Sequence, residues 1–143
     1  MESGPIDLLH VAAHASFHNL NPMFSSIVAA EDRILALDLA RSPLRVDTVI
    51  LSACDTGAMS LENRFEANGL TRAFLARGAK RVVATQWPLD DVAAFEFMNA
   101  MYYNVLDGIS LSLALPSARQ AVRQKFAHPY YWGAPLLFRG YDL

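Results

Sequence analysis

The stretch Val46-Asp47-Thr48-Val49-Ile50-Leu51-Ser52-Ala53-Cys54-Asp55-Thr56-Gly57 decides the fold of this chain. Residues 46–53 form an apolar run rich in β-branched side chains, which reads as a buried strand. Cys54, the single cysteine, stands where that strand runs out, and Asp55-Thr56-Gly57 turns away from it. Earlier, Ile6-Asp7-Leu8-Leu9-His10-Val11-Ala12-Ala13 is another apolar run, read as a strand of residues 6–14 ending on His14. Two parallel strands that end in His and Cys bring a base and a thiol to one sheet edge.

Working outward, residues 15–31 are rich in Ser, Asn and Pro and read as a loop. Residues 33–37 suit a short strand, and Asp38 is placed to cap a brief helical turn that Pro43 limits. After a polar loop of residues 55–66, Asn68 opens a helix to Arg77, with Gly78 at its C′ position. Residues 80–86 are a third strand. Asp90 or Asp91 caps a long helix with apolar residues at Val92, Phe95, Met98, Met101, Tyr102 and Val105, ended by Gly108. A helix over residues 110–126 contains Pro116, which is expected to kink or divide it. Pro135-Leu136-Leu137-Phe138 suits a final strand. Alternating strands and helices predict an α/β fold with a mainly parallel sheet, whose ligands bind at the carboxyl ends of the strands.

At 143 residues, 53% hydrophobic and 18% charged, the chain is expected to fold as one domain over residues 1–143. The formal net charge of −2 gives no reason to expect binding to nucleic acid or anionic lipid. No run reaches the roughly 18 apolar residues of a membrane span. Met1-Glu2-Ser3-Gly4-Pro5 lacks the basic start of a signal peptide, and one cysteine cannot form an internal disulfide, so a cytoplasmic location is expected. The first strand begins so early that the chain reads either as a short protein or as a domain whose front is missing.

A thiol becomes a strong nucleophile when an imidazole takes its proton and stabilises the thiolate. Backbone N–H groups after a strand then serve the oxyanion, and those of Cys54 and Ala15 are placed for this. The alternative for Cys54 is a buried, inert thiol. His14 competes with His10, His18 and His128. Alternation puts His10 on the same face as His14, and its mid-strand place suits a hydrogen-bonded core residue. His18 reads as a solvated loop residue. His128 precedes Pro129-Tyr130-Tyr131-Trp132, a cluster suited to packing the tail onto the body. A metal site has weaker support, because no second ligand group has ligand spacing. Asp90 and Asp91 suit either a helix cap or the floor of a pocket for a basic side chain, and Asp55 could serve the second purpose too.

Together these residues resemble the CHAT domain, a caspase- and separase-like clan of cysteine peptidases often joined to tetratricopeptide (TPR) repeats. Leu9-His10-Val11-Ala12-Ala13-His14 resembles its histidine strand, and Leu51-Ser52-Ala53-Cys54-Asp55-Thr56-Gly57 its cysteine motif. The segment of residues 69–79 is similar to the helix that follows. Gln86-Trp87-Pro88-Leu89-Asp90-Asp91 and His128-Pro129-Tyr130-Tyr131-Trp132 resemble two later family motifs.

The resemblance implies a caspase-like three-layer fold lacking its first strands, so that the chain is the later, catalytic-residue-bearing portion of a larger domain. It implies Cys54 as nucleophile, His14 as general base and Asp91 as partner of a basic side chain before the scissile bond. The implied activity is a thiol protease: endopeptidase cleavage after Arg, or Lys, with no cofactor. Implied partners are a peptide or protein substrate and a TPR-containing or upstream sensor module. An upstream segment, a partner chain or dimerisation would cover the exposed strand edge. The family usually has Gly directly after its histidine, and here it is Ala15, whose methyl group restricts the backbone. The alternative function is therefore a catalytically impaired interaction scaffold.

Overall fold

The computed structural model describes residues 5–18, 20–30, 32–52 and 67–140. The chain begins with β1 (Ile6–Val11), β2 (His14–Ser16), a 3-10 turn at Pro22–Phe24, β3 (Ser26–Ala29) and β4 (Asp32–Leu35). It continues with α1 (Ala36–Arg41), β5 (Val46–Leu51), α2 (Ala67–Ala76) and β6 (Arg81–Thr85). Then follow α3 (Asp91–Leu106), α4 (Leu111–Lys125), a 3-10 turn at Pro129–Tyr131 and β7 (Pro135–Arg139).

The main sheet has the order β1-β5-β6-β7. β1, β5 and β6 are parallel, and β7 runs antiparallel to β6 at the far edge. Parallel strands in the centre of a sheet need cover on both faces, and Thr48–Leu51 of β5 and Val82–Ala84 of β6 are accordingly buried without a break. Along β5, Val49 and Leu51 belong to one buried cluster, with Leu70, Ala73 and Phe74 of α2 and Ala36 and Leu39 of α1. Ile50, pointing the other way, joins Val83 of β6, Phe97 and Met101 of α3, and Ala114, Ala118 and Val122 of α4. The result is three layers, a mainly parallel sheet between helices, as the caspase-like fold requires. Each fully buried Val, Leu, Ile or Phe removes enough apolar area from water to contribute about 1.5–3 kcal/mol, so the two clusters supply most of the stabilisation.

Residues at element ends account for the boundaries. The Asp90 side chain accepts from the backbone N–H groups of Val92 and Ala93, both at 3.1 Å, and so caps α3. Gly78 (φ 92°) and Gly108 (φ 83°) take the left-handed conformation just after α2 and α3, where a Cβ would be strained. Pro116 lies inside α4, yet the helix runs undivided from Leu111 to Lys125. The proline is on the exposed side, while Ala114 and Ala118 bury their small side chains near Phe97 and Met101. That packing of α4 on α3 offsets the missing backbone bond.

Three expectations for the first third need correction. The first strand stops at Val11, and His14 opens a separate strand, so alternation cannot place His10 and His14 on one face. The Ser- and Pro-rich stretch after it is not all loop. Its Ser26–Ala29 pairs antiparallel with β2 and β4, and Ser25 and Ser26 are buried. Finally, α1 starts at Ala36 with Leu35 at its N-cap, so Asp38 lies in its first turn rather than capping it.

Candidate active site

The register of β1 against β5 sets the geometry of the carboxyl edge. Val11, the last residue of β1, pairs with Leu51, the last of β5. The Ser52 N–H donates to the Val11 carbonyl at 2.9 Å, carrying the pairing one step past the strand end. β6 lies on the other side of β5, with Ala84 opposite Leu51. His14 follows three residues after Val11 and is exposed, with no hydrogen-bond partner among the described residues. Cys54 follows three residues after Leu51, and both it and Asp55 lie outside the described residues.

His14 pairs with Val28 and Ala15 with Ile27 in the small antiparallel sheet β2-β3-β4. Neighbouring residues of a strand face opposite ways. The Ala15 methyl is 3% exposed and belongs to the core, while the His14 imidazole is turned to solvent.

At the end of β6 the chain passes through Gln86-Trp87-Pro88-Leu89 to the start of α3. This connection is held by the segment after α4. The Trp87 indole N–H donates to the Tyr130 carbonyl at 2.9 Å, and the Tyr130 hydroxyl donates to the Pro88 carbonyl at 2.8 Å. Their rings stack with centroids 6.3 Å apart. A Cβ at Gly133 would come within 2.9 Å of the Pro129 carbonyl oxygen and 3.4 Å of the Trp87 ring, so the close approach needs glycine. These contacts fix the path into α3 and the position of its two leading carboxylates. Asp90 is used in capping. Asp91 is exposed and has no ion-pair partner among the described residues.

The other histidines have local roles. His18 Nδ1 accepts from the Asn21 N–H at 3.1 Å, and its ring meets Phe24 edge-on with centroids 5.6 Å apart. His128 Nδ1 accepts from the Tyr130 N–H at 3.2 Å and caps the Pro129–Tyr131 turn, which ties down the tail. His10 is not a core residue. It is exposed on the edge strand, yet both ring nitrogens are engaged: Nε2 is 2.8 Å from Ser52 Oγ, and Nδ1 is 2.8 Å from the Tyr102 hydroxyl. Partial burial lowers its pKa below the ordinary imidazole value, so the neutral form prevails at neutral pH. Sequence reading had no means to find this arrangement, because Tyr102 sits on a helix 92 residues away. Among the described residues, no three of His, Cys, Asp and Glu are grouped to hold a metal ion, and no helix is long and apolar enough to cross a membrane.

A mainly parallel sheet between helices, with histidine and cysteine segments leaving neighbouring strand ends, defines a caspase-like α/β architecture. Comparison with protein families matches residues 1–140 to the CHAT domain, and the chain belongs to that family. Tetratricopeptide repeat protein 28 of Mus musculus is 36% identical over 104 residues, covering 69% of this chain. The protein of the same name from Homo sapiens is 33% identical over 109 residues, covering 73% of it. In each case the match spans only 4% of the relative's length.

Proposed function

We propose that this domain is a cysteine endopeptidase that cleaves after a basic residue, Arg foremost and Lys second. The observation that carries the reading is the in-register pairing of Val11 with Leu51. His14 and Cys54 each follow a paired strand end by the same number of residues, and the two strands point to the same edge. In this reading His14 takes the Cys54 thiol proton, and the thiolate attacks the scissile carbonyl carbon. The backbone N–H groups of Ala15 and Cys54 receive the oxyanion. His14 then returns the proton to the leaving amine, and water, deprotonated by His14, hydrolyses the acyl-enzyme.

Asp91 supplies the negative charge for the basic side chain, with Asp55 adding to the acidic field, while Asp90 is occupied in capping α3. The buried Ala15 methyl supports activity over a scaffold role, since it is accommodated in the core and turned away from the side that His14 presents. The relatives' names support a TPR-containing partner or neighbouring module. A reducing cytoplasm suits a lone reactive thiol.

The test is hydrolysis of a fluorogenic peptide panel varying only the residue before the scissile bond. Turnover is expected for Arg, less for Lys and none for Asp, and it should vanish in Cys54→Ala and His14→Ala. Turnover that survives in Cys54→Ala would overturn the assignment.

A further inference from the structure

Three segments far apart in sequence meet on the α3 side of the sheet edge. His10 is the last but one residue of β1, Tyr102 lies on the inner flank of α3, and Ser52 is the residue at which the chain leaves β5. Their polar groups form an unbroken line, Tyr102 hydroxyl to His10 Nδ1 and His10 Nε2 to Ser52 Oγ, each link 2.8 Å. The two rings also touch, with centroids 5.7 Å apart and planes inclined at 36°.

A neutral imidazole has one donor and one acceptor, and this line uses both. The phenol, the more acidic hydroxyl, is the better donor, so Nδ1 accepts from Tyr102 and Nε2–H donates to Ser52 Oγ. Ser52 is then held twice: its N–H is bonded to the Val11 carbonyl at 2.9 Å, and its hydroxyl oxygen accepts from His10. The position is notable because Ser52 precedes Cys54 by only two residues in sequence. An anchor there sets the point and direction from which the following segment starts.

We propose that His10, oriented by Tyr102, is a positioning residue that acts through Ser52 to hold the start of the cysteine-bearing segment. The role rests on the peptidase reading, in that the segment positioned carries the proposed nucleophile. His10 itself touches no substrate. It keeps the β5 exit in one arrangement, and loss of either hydrogen bond lets the exit drift. Misplacement of a reacting group by about 1 Å costs on the order of 10²-fold in rate.

The test uses the full chain and an arginyl activated-ketone probe, measuring the saturation constant and the maximal inactivation rate separately. The variants are His10→Gln, Ser52→Ala, their double, Tyr102→Phe and Ser52→Thr. The first two are expected to lower the maximal rate about 10–100-fold with the saturation constant unchanged. The double should lose no more than the worse single, because both break one line. Ser52→Thr keeps the hydroxyl and should remain near the parent. Tyr102→Phe changes only one oxygen atom, so it keeps the test valid if His10→Gln fails to fold; it should lower the rate in the same direction.

Nitrogen chemical shifts of the His10 ring should show one tautomer, protonated at Nε2, in the parent and a mixture in Tyr102→Phe. Equal rates across all variants with a labelled parent would overturn the positioning role alone. Additive losses, or a changed saturation constant with an unchanged maximal rate, would do the same. A parent that the probe does not label would instead overturn the peptidase reading, whatever the tautomer.

Discussion

The adjacent carboxylates Asp90 and Asp91 should separate cleanly into one structural and one functional residue. Asp90 satisfies two N–H groups of the first turn of α3, those of Val92 and Ala93. Val92 is 59% exposed, so its N–H can turn to water when the cap is removed, but Ala93 is fully buried and its N–H cannot. Loss of a cap costs about 0.5–2 kcal/mol, and the buried donor places Asp90→Ala in the upper part of that range, at about 1.5–2 kcal/mol. For a domain of this size that is a fall in melting temperature of roughly 4–7 °C. Asp90→Asn keeps an accepting oxygen and should lose only a few tenths of a kcal/mol, by loss of charge at the helix N-terminus.

Asp91→Asn removes an exposed charge from the same turn and should cost about 0.3 kcal/mol, near the limit of detection in a thermal melt. The functional effects should run the other way. Asp90→Ala retains the preference for Arg over uncharged residues at the cleavage position, while Asp91→Asn loses it. Calorimetry and the peptide panel, run on all three variants, read the two effects independently. Retained Arg preference in Asp91→Asn, or a large thermal loss there with none in Asp90→Ala, would refute the division of labour.

Other expectations follow from the packing and the turns. A Cβ at Gly69 would lie 2.9 Å from the carbonyl carbon of Pro22, so Gly69→Ala should push α2 off the Pro22–Phe24 turn and destabilise by about 1–3 kcal/mol in chemical denaturation. Ala30 has a φ of 51° where β3 turns into β4, so Ala30→Gly should relieve the strain and raise stability by about 0.5–1 kcal/mol. Burial lowers the His10 pKa from 6.5, so between 6.5 and the lowered value the unfolded chain binds more protons than the folded one. Stability from this group is therefore full above pH 6.5 and lost as pH falls through that window, and His10→Gln should flatten this part of the urea-unfolding profile. Burial raises the Tyr102 pKa, so its contribution holds below pH 10 and declines above it, which Tyr102→Phe should remove.

The strands and helices with strong local signals were readable from sequence. β5 and β6 carry the apolar runs Val49-Ile50-Leu51 and Val82-Val83-Ala84, α3 opens on a capping Asp, and α2 and α3 close before glycines with positive φ. The small sheet was not readable, because Ser26 looks like a loop residue and is buried in pairing with Ser16 of β2 and Leu35 of β4, strands whose meeting leaves no local signal. The break after Val11 was hidden for a similar reason. Ala12-Ala13 continues the apolar run, and nothing local tells the chain to leave the main sheet there.

At the candidate site, Asp91 was legible as an acidic residue at the start of a helix, whereas His14 opens β2 instead of closing the first strand, and Cys54 lies outside the described residues. The register that aligns Val11 with Leu51 was not legible, since it depends on pairing across forty residues. The engagement of His10 by Tyr102 depends further on how α3 packs over β1 and β5. Side chains that meet only through tertiary packing leave no periodic trace.

The most direct test of the account is to treat the protein with an arginyl acyloxymethyl ketone and locate the adduct by peptide mass spectrometry. A thioether at Cys54 Sγ, formed with loss of the acyloxy group and absent in His14→Ala, is the predicted result. An adduct on any other side chain, or labelling of undiminished rate in His14→Ala, would contradict the Cys54–His14 pairing on which the proposed function stands.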